Sequence, residues 1–232
     1  MKDFFKHTLA TIAGLFIFSI IVIIIGVMSL VGMVSAGEAT KTVADKSVLV
    51  LNLSGELQEQ SEDNVFQQFA GTPFGNLGLE KILSAIKKAK NNDKIKGIYI
   101  EAGALGADFA SLQEIRNALL DFKKSHKWII AYADTYTQGT YYVASAANEI
   151  YLNPQGMITW HGLSAQPIFI KDLLAKVGIR MQVLKVGKYK SATEMFTGDK
   201  MSDANREQTT AYLTSLWSNV CKAVSESRKI SI

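Results

Sequence analysis

The sequence predicts an α/β domain with largely parallel strands, preceded by a single membrane-spanning helix. Short runs rich in Val, Ile and Leu alternate with stretches whose apolar residues recur at helical spacing. That alternation calls for strand–helix–strand units with parallel pairing and right-handed crossovers. Ahead of them, the 30 residues from Thr8 to Gly37 contain no Asp, Glu, Lys, Arg or His. About 20 apolar residues in a helix suffice to cross bilayer hydrocarbon. A cleavable signal peptide is the rival reading, and Val34-Ser35-Ala36 would pass as its cut. Its apolar region runs about 7–15 residues, so the length of this stretch favours an anchor.

The chain divides accordingly. Residues 1–7 form an N-terminus, 8–36 the transmembrane anchor, 37–46 a polar stalk, and 47–232 the α/β domain. Lys2 and Lys6 precede the helix with Asp3 between them. That positive excess keeps the N-terminus in the cytoplasm and puts the domain outside it.

The elements follow in order. Residues 47–55 (SVLVLNLSG) read as a strand and 56–77 as a loop. Leu79, Ile82, Leu83, Ile86 and Ala89 mark one face of a helix over 78–90. Lys87, Lys88 and Lys90 fall on its solvated side. A strand over 96–102 leads to GALGADF (103–109), whose two glycines suit a tight turn better than a phosphate cradle. Asp108 caps a helix with Leu112, Ile115, Leu119 and Phe122 on one face. A strand over 128–133 precedes a small-residue helix opened by Gly139. EIYL (149–152) is a strand and Asn153-Pro154-Gln155-Gly156 a turn. A helix over 168–177 stops at Gly178, and MQVLKV (181–186) is a strand ending at Gly187. A long helix from Ser202 carries Leu213, Leu216, Trp217, Val220 and Val224. No repeat of 20–50 residues is present.

Composition narrows the function. The whole chain is net +4, but residues 38–232 hold 23 Lys+Arg and 20 Asp+Glu, only +3. No dense basic stripe interleaved with aromatics occurs, which argues against a nucleic-acid partner. Cys221 is the single cysteine; it lies in a helical pattern and reads as a buried, inert thiol. About 195 residues outside the membrane are ample for a core without disulfides. His7, His126 and His161 are scattered, with no HExxH or CxxC, so no metal site is expected. GxSxG, GxGxxG after a strand and GxxxxGK[ST] are all absent. No cofactor is expected.

Lysine chemistry is left. In VGKYKSATEMF (186–196), Lys190 follows a strand-like run and a glycine. A lysine is a general base only where burial lowers its pKa from about 10.4 towards neutrality, a shift of about 4 kcal/mol. From spacing alone, a surface lysine at a helix start is the favoured reading.

Three stretches carry a resemblance that bears on this. They are GIYIEAGALGADFASLQEIRNAL (97–119), YTQGTYYVASAANEIYLNPQGMITWHG (136–162) and VGKYKSATEMFTGDKMSDANREQ (186–208). In motif, order and spacing the chain resembles the signal peptide peptidases of the protease IV type, membrane-anchored serine proteases with a Ser/Lys dyad. The resemblance is to the N-terminal half of their long tandem form. It implies a ClpP/crotonase-like spiral of ββα units, and it makes Lys190 the general base. The family's nucleophile opens a helix in a Ser-Gly-Gly-Tyr-Tyr stretch. Here the matching text is Gln138-Gly139-Thr140-Tyr141-Tyr142, so Gln138 fills the slot. An amide cannot attack as an alkoxide does. Thr137 and Ser145 are nearby hydroxyls that do not align. Gly103 or Gly106 and Gly139 are oxyanion-hole remnants by the same resemblance.

The resemblance further implies a C-terminal half that supplies the serine, a homo-oligomer (a tetramer), signal peptides as substrates, and a single-pass setting in the bacterial inner membrane. Two alternatives stand beside a base-supplying protease half. One is a catalytically inactive scaffold, which Gln138 supports. The other is a crotonase-like acyl-thioester enzyme, which an exported domain disfavours.

Overall fold

The computed structural model describes residues 1–37, 43–60 and 77–231. It contains two compact units, Met1–Ala44 and Asp45–Ile232. Most of the loop expected over 56–77 lies outside the described residues.

The first unit is one helix, α1 (Lys2–Gly37), starting six residues before the uncharged run. Lys2–Ser29 is long and apolar enough to cross a membrane. Three of its hydroxyls are satisfied within the helix. Thr8, Thr11 and Ser19 each donate to the carbonyl four residues back, at 2.9, 2.9 and 2.8 Å. Hydrocarbon demands such internal partners.

The second unit is the α/β fold, with every strand pair parallel. Its strands are β1 (Ser47–Gln58), β2 (Leu77–Gly78), β3 (Ile95–Gly106), β4 (Trp128–Tyr136) and β5 (Glu149–Ile158). They lie in the order β2-β1-β3-β4-β5. The helices are α2 (Leu79–Lys90), α3 (Phe109–Lys123), α4 (Gln138–Ala144), α5 (Lys171–Lys176), α6 (Glu194–Thr197) and α7 (Asp203–Arg228). The core lies between the sheet and α2, α3 and α4. Leu53, Ile98, Ile100, Ile129 and Ala131 from the strands meet Ile86, Ile115, Leu119, Phe122 and Val143 from the helices, all nearly or fully buried. The other sheet face is open, with Val50 57% and Tyr151 52% exposed. Parallel sheets ordinarily have both faces covered.

The long periodic elements form where expected. Asp108 caps α3, accepting from the Ser111 N–H and hydroxyl at 2.9 Å each. Gly178 takes φ +77° just past α5.

Five local expectations are corrected. Residues 103–106 do not turn. They extend β3, with Glu56 opposite Gly106, because β1 continues alongside and keeps offering a ladder. Asn153–Gly156 does not end β5, which runs on to Ile158 as a bulge. Between Ala133↔Leu152 and Thr135↔Met157, β4 advances two residues and β5 five. Gly156 passes so close to the Asp134 carbonyl that any Cβ would overlap it. MQVLKV forms no strand, since no described neighbour pairs with it, and Leu184 is fully exposed. The helix expected over 168–177 is confined to Lys171–Lys176, with no buried side chain to extend it. The small-residue helix starts at Gln138 and stops at Ala144, where Ser145 turns back to bond the Tyr142 carbonyl.

The Asp108 cap makes stability pH-dependent. Its hydrogen bonds from Ser111 hold the carboxyl below its usual pKa. The stabilisation is therefore present above the unfolded value of about 3.9 and fades as pH falls through the lower folded value. Asp108→Ala should cost about 1 kcal/mol in urea unfolding at pH 7. The cost should shrink as pH falls below the unfolded value and the native carboxyl itself takes up a proton.

Candidate functional site

Parallel strands place their carboxyl ends, and the starts of the helices that follow, at one end of the sheet. Sites of open α/β sheets lie at that end. Here β4 ends at Tyr136, Thr137 caps α4, and Gln138 is its first residue. Thr137 and Thr140 form a reciprocal capping box. The Thr137 hydroxyl accepts from the Thr140 N–H at 3.2 Å, and the Thr140 hydroxyl accepts from the Thr137 N–H at 3.0 Å.

Gln138 is buried, and both ends of its amide are engaged. Its Oε1 accepts from the backbone N–H groups of His161 and Gly162 at 3.2 and 3.0 Å. Its Nε2 donates to the Gly162 carbonyl at 3.3 Å. The amide thereby holds the chain where it leaves β5 and turns at Gly162, φ +85°. A serine is too short to make all three bonds. Gln138 therefore has a structural occupation in the slot where the resemblance places a nucleophile.

The neighbouring candidates are also occupied. Thr137 is committed to the cap. Ser145 is fully buried, donates to the Tyr142 carbonyl at 2.7 Å and accepts from Arg116 Nε at 3.5 Å. At Gly139 a Cβ would stand 2.9 Å from Leu112 Cδ1, so this glycine allows α4 to sit close on α3. Gly103 and Gly106 lie at the far end of β3. The ladder with β4 stops at Glu101↔Tyr132. Beyond it β3 pairs with β1 alone, and the edge facing β4 opens.

Lys190 lies elsewhere, in the loop between α5 and α6. It is exposed, and among the described residues no hydrogen bond joins it to Gln138, Gly139, Gly103 or Gly106. Its neighbours tie the loop to α7. Lys188 bonds Glu207 at 2.9 Å and the Tyr189 hydroxyl donates to Glu207 at 3.0 Å. These bonds lower the Glu207 pKa, with Lys188 the larger cause, and raise that of Lys188. Glu194 accepts from the Ser202 N–H and hydroxyl and from Asn205, holding the start of α7. The structure thus gathers Gln138, Gly139, Gly103 and Gly106 at one sheet end and keeps Lys190 on a separate loop.

Arg116 is the residue that sequence reasoning missed. It is buried, with no carboxylate within hydrogen-bond reach among the described residues. It donates to the Ala223 carbonyl at 2.7 Å and to the Ser227 hydroxyl, and lies 5.3 Å from the Tyr142 ring. Burial lowers its pKa. It fixes the last turns of α7 to α3 and α4, where carbonyls present the negative end of a helix. Its only signal was a charge beside Ile115 on an apolar helix face. Aromatic rings complete the joint, with Tyr136–Tyr141, Tyr141–Trp160 and Trp160–Trp217 centroids 5.9, 5.7 and 5.0 Å apart. Cys221 is half-buried rather than buried, and desolvation raises its pKa. His126 and His161 are exposed. Among the described residues no His, Cys, Asp and Glu cluster could hold a metal ion.

A parallel sheet with helical crossovers, and candidate groups at its strand carboxyl ends, places the chain among the α/β proteins of this plan. Comparison with known proteins is more specific. Residues 121–232 match peptidase family S49. Protease 4 of Haemophilus influenzae is 34% identical over 210 residues, covering 88% of this chain and 34% of that protein. Protease 4 of Salmonella typhi is 34% identical over 229 residues, covering 95% and 36%. A looser likeness, 14% identical with a TM-score of 0.36, links 78% of the chain to 70% of a solved 1510-N membrane-bound stomatin-specific protease. The chain belongs to the signal peptide peptidase/protease IV family, peptidase family S49. It spans about a third of the length of the two Protease 4 relatives.

Gln138→Ala removes the acceptor of two backbone N–H groups and should cost about 1–3 kcal/mol in urea unfolding. Gln138→Ser should stay unlabelled by a fluorophosphonate probe, since no base side chain bonds this position. Labelling at residue 138 would contradict the structural reading of the slot.

Proposed function

We propose that this chain is the base-supplying half of a membrane-bound serine endopeptidase that degrades cleaved signal peptides, with Lys190 as general base. The observation that carries the reading is the pairing of the Lys190 stretch with a nucleophile slot filled by Gln138, an amide already committed to the backbone at 161–162. A dyad with only its base in this chain needs a serine from elsewhere. The long relatives leave about two thirds of their length unmatched, room for a second half that carries it.

The loop around Lys190 supports the same reading. A base lysine must be shielded from water, yet Lys190 is exposed. Just before it, Leu184 and Val186 are 104% and 89% exposed. Strand-forming residues without a strand partner, next to a lysine without a shield, fit a surface that a second half covers. There Lys190 would take the proton of the serine hydroxyl as its oxygen attacks a peptide carbonyl, and backbone N–H groups would stabilise the oxyanion. Opened β3 at Gly103–Gly106 is one source of such donors. Helix α1 would hold the enzyme at the bacterial inner membrane, where cleaved signal peptides are left, with Lys2 and Lys6 on the cytoplasmic side. Assembly as a homo-oligomer, a tetramer by family resemblance, is part of this proposal. In isolation the chain would be inactive.

The test co-expresses the full chain with the remaining C-terminal part of Salmonella typhi Protease 4 and follows cleavage of a signal peptide. The pair should cleave, and the chain alone should not. Lys190→Ala should lower the rate at least about 100-fold. Cleavage that persists in Lys190→Ala would refute its role as base.

A further inference from the structure

The end of the sheet opposite the candidate site is strongly basic. There the strands begin and the preceding helices end. Ser47 pairs with Ile95, Gly97 with Trp128, and Ile130 with Glu149, so the three starts are level. Two connections meet at this end, residues 87–96 between α2 and β3, and 121–128 between α3 and β4. Together they hold eight lysines and two aspartates, a net +6, whereas the whole chain is +4. The rest of the chain is therefore net −2, and the positive charge is concentrated in these two connections.

Cross-links show that the two connections are neighbours. Lys127 donates to the carbonyls of Ala89, Lys90 and Asn92 at 2.8, 3.0 and 2.8 Å. Lys90 pairs with Asp121 at 2.6 Å. Lys123 donates to the Ala146 carbonyl at 3.0 Å. Capping of helix ends explains Lys123 and Lys127, and an ion pair explains Lys90. Neither explains Lys87, Lys88 or Lys94. These are exposed and bond no carboxylate among the described residues. Trp128, the first residue of β4, lies at the same end of the sheet, 38% exposed, its ring over Gly97. Exposed lysines and an exposed tryptophan at one end of a sheet suit the boundary between water and lipid headgroups.

The covalent chain brings this end to a membrane. Only residues 38–46 separate the last residue of α1 from Ser47, the first residue of β1. Gly37 to Ser47 is ten residue steps, which reach at most about 36 Å, whatever their conformation. Ser47 in turn donates to the Lys94 carbonyl at 2.9 Å, within the basic end.

We propose that the strand-start end of the α/β unit, through Lys87, Lys88, Lys94 and Trp128, docks on the anionic phospholipid headgroups of the bilayer that α1 enters. This rests on the reading of α1 as a membrane anchor and not on the proposed peptidase activity. The site end, with Gln138, is then turned away from the lipid surface. The attraction is electrostatic, so salt weakens it, because about 0.1 M salt already confines it to within about 10 Å.

Lysine acetylation footprinting of the full chain in reconstituted vesicles tests this. Vesicles of phosphatidylcholine alone are compared with vesicles containing about one third phosphatidylglycerol. With the anionic lipid, acetylation of Lys87, Lys88 and Lys94 should slow at least about threefold, and about 0.5 M salt should reverse it. Lys185 and Lys200 should not change. In the variant Lys87→Glu/Lys88→Glu/Lys94→Glu, with its circular dichroism unchanged, the protection of Lys124 should also disappear. An alkaline wash separates the two readings. A chain that stays in the vesicles with equal labelling in both lipids overturns the docking proposal and leaves the anchor. A chain that washes out while its lysines remain lipid-protected keeps the docking surface and overturns the anchor. Protection by an oligonucleotide at physiological salt, without protection by anionic lipid, also overturns the proposal.

Discussion

Every strand in the α/β unit runs the same way, and that shared direction dictates where charge and chemistry can go. Each crossover helix must return the chain antiparallel to the sheet. Helix starts then gather at the carboxyl ends of the strands, and helix ends gather where strands begin. Macrodipoles add partial positive charge at the first location and partial negative charge at the second. Lys87, Lys88, Lys90, Lys123 and Lys127 all sit in or just beyond the last turns of α2 and α3. Gln138, Gly139, Gly103 and Gly106 lie at or near the opposite end. One topological constraint separates a basic pole from a site pole within a single small sheet.

Holding that arrangement depends on a few polar groups that replace missing hydrophobic contact. Helix α7 buries only Val220 and Val224, too little to fix a 26-residue helix by burial. Arg116 supplies the remainder by bonding its terminal carbonyl and hydroxyl from within the core. A buried guanidinium is costly unless its donors are used, and here the negative end of a helix uses them. Gln138 performs the matching task at the exit of β5. Gln138 acts on backbone alone, so its partners are insensitive to side-chain identity, whereas Arg116 also bonds the Ser145 and Ser227 hydroxyls.

How much of this was legible in the sequence follows from how local each signal is. Helices α2 and α3 could be read because a 3.6-residue period is contained within the segment itself. The Asp108 cap could be read for the same reason. Strand extent depends on a neighbour. GALG became strand because β1 ran beside it. MQVLKV, with a stronger strand composition, did not, because nothing described lies beside it. Asn153–Gly156 carried true turn chemistry, but the sheet resumed and absorbed it as a bulge. The site slot was legible only through family resemblance. The bonds of Gln138 to His161 and Gly162 span more than 20 residues and leave no pattern in sequence. The basic pole was likewise hidden, because its two lysine groups are about 30 residues apart and become one patch only when β3 and β4 pair.

Gln138 and Lys190 bring these strands of argument together. If Gln138 fills the slot that the family resemblance gives to a nucleophile, its use as a clamp fits catalysis that needs no hydroxyl there. The clamp has three hydrogen bonds and an immobilised turn at Gly162, so this end of the sheet is more rigid than a reactive serine alone would make it. Lys190 has the opposite character: it is exposed, has no hydrogen-bond partner among the described residues, and follows an exposed apolar run. A rigid slot without a nucleophile and an unshielded lysine on a tethered loop are each incomplete as chemistry. In the proposed function they become coherent: the lysine would serve a serine that another part of the enzyme brings to it, while Gln138 keeps this domain in shape.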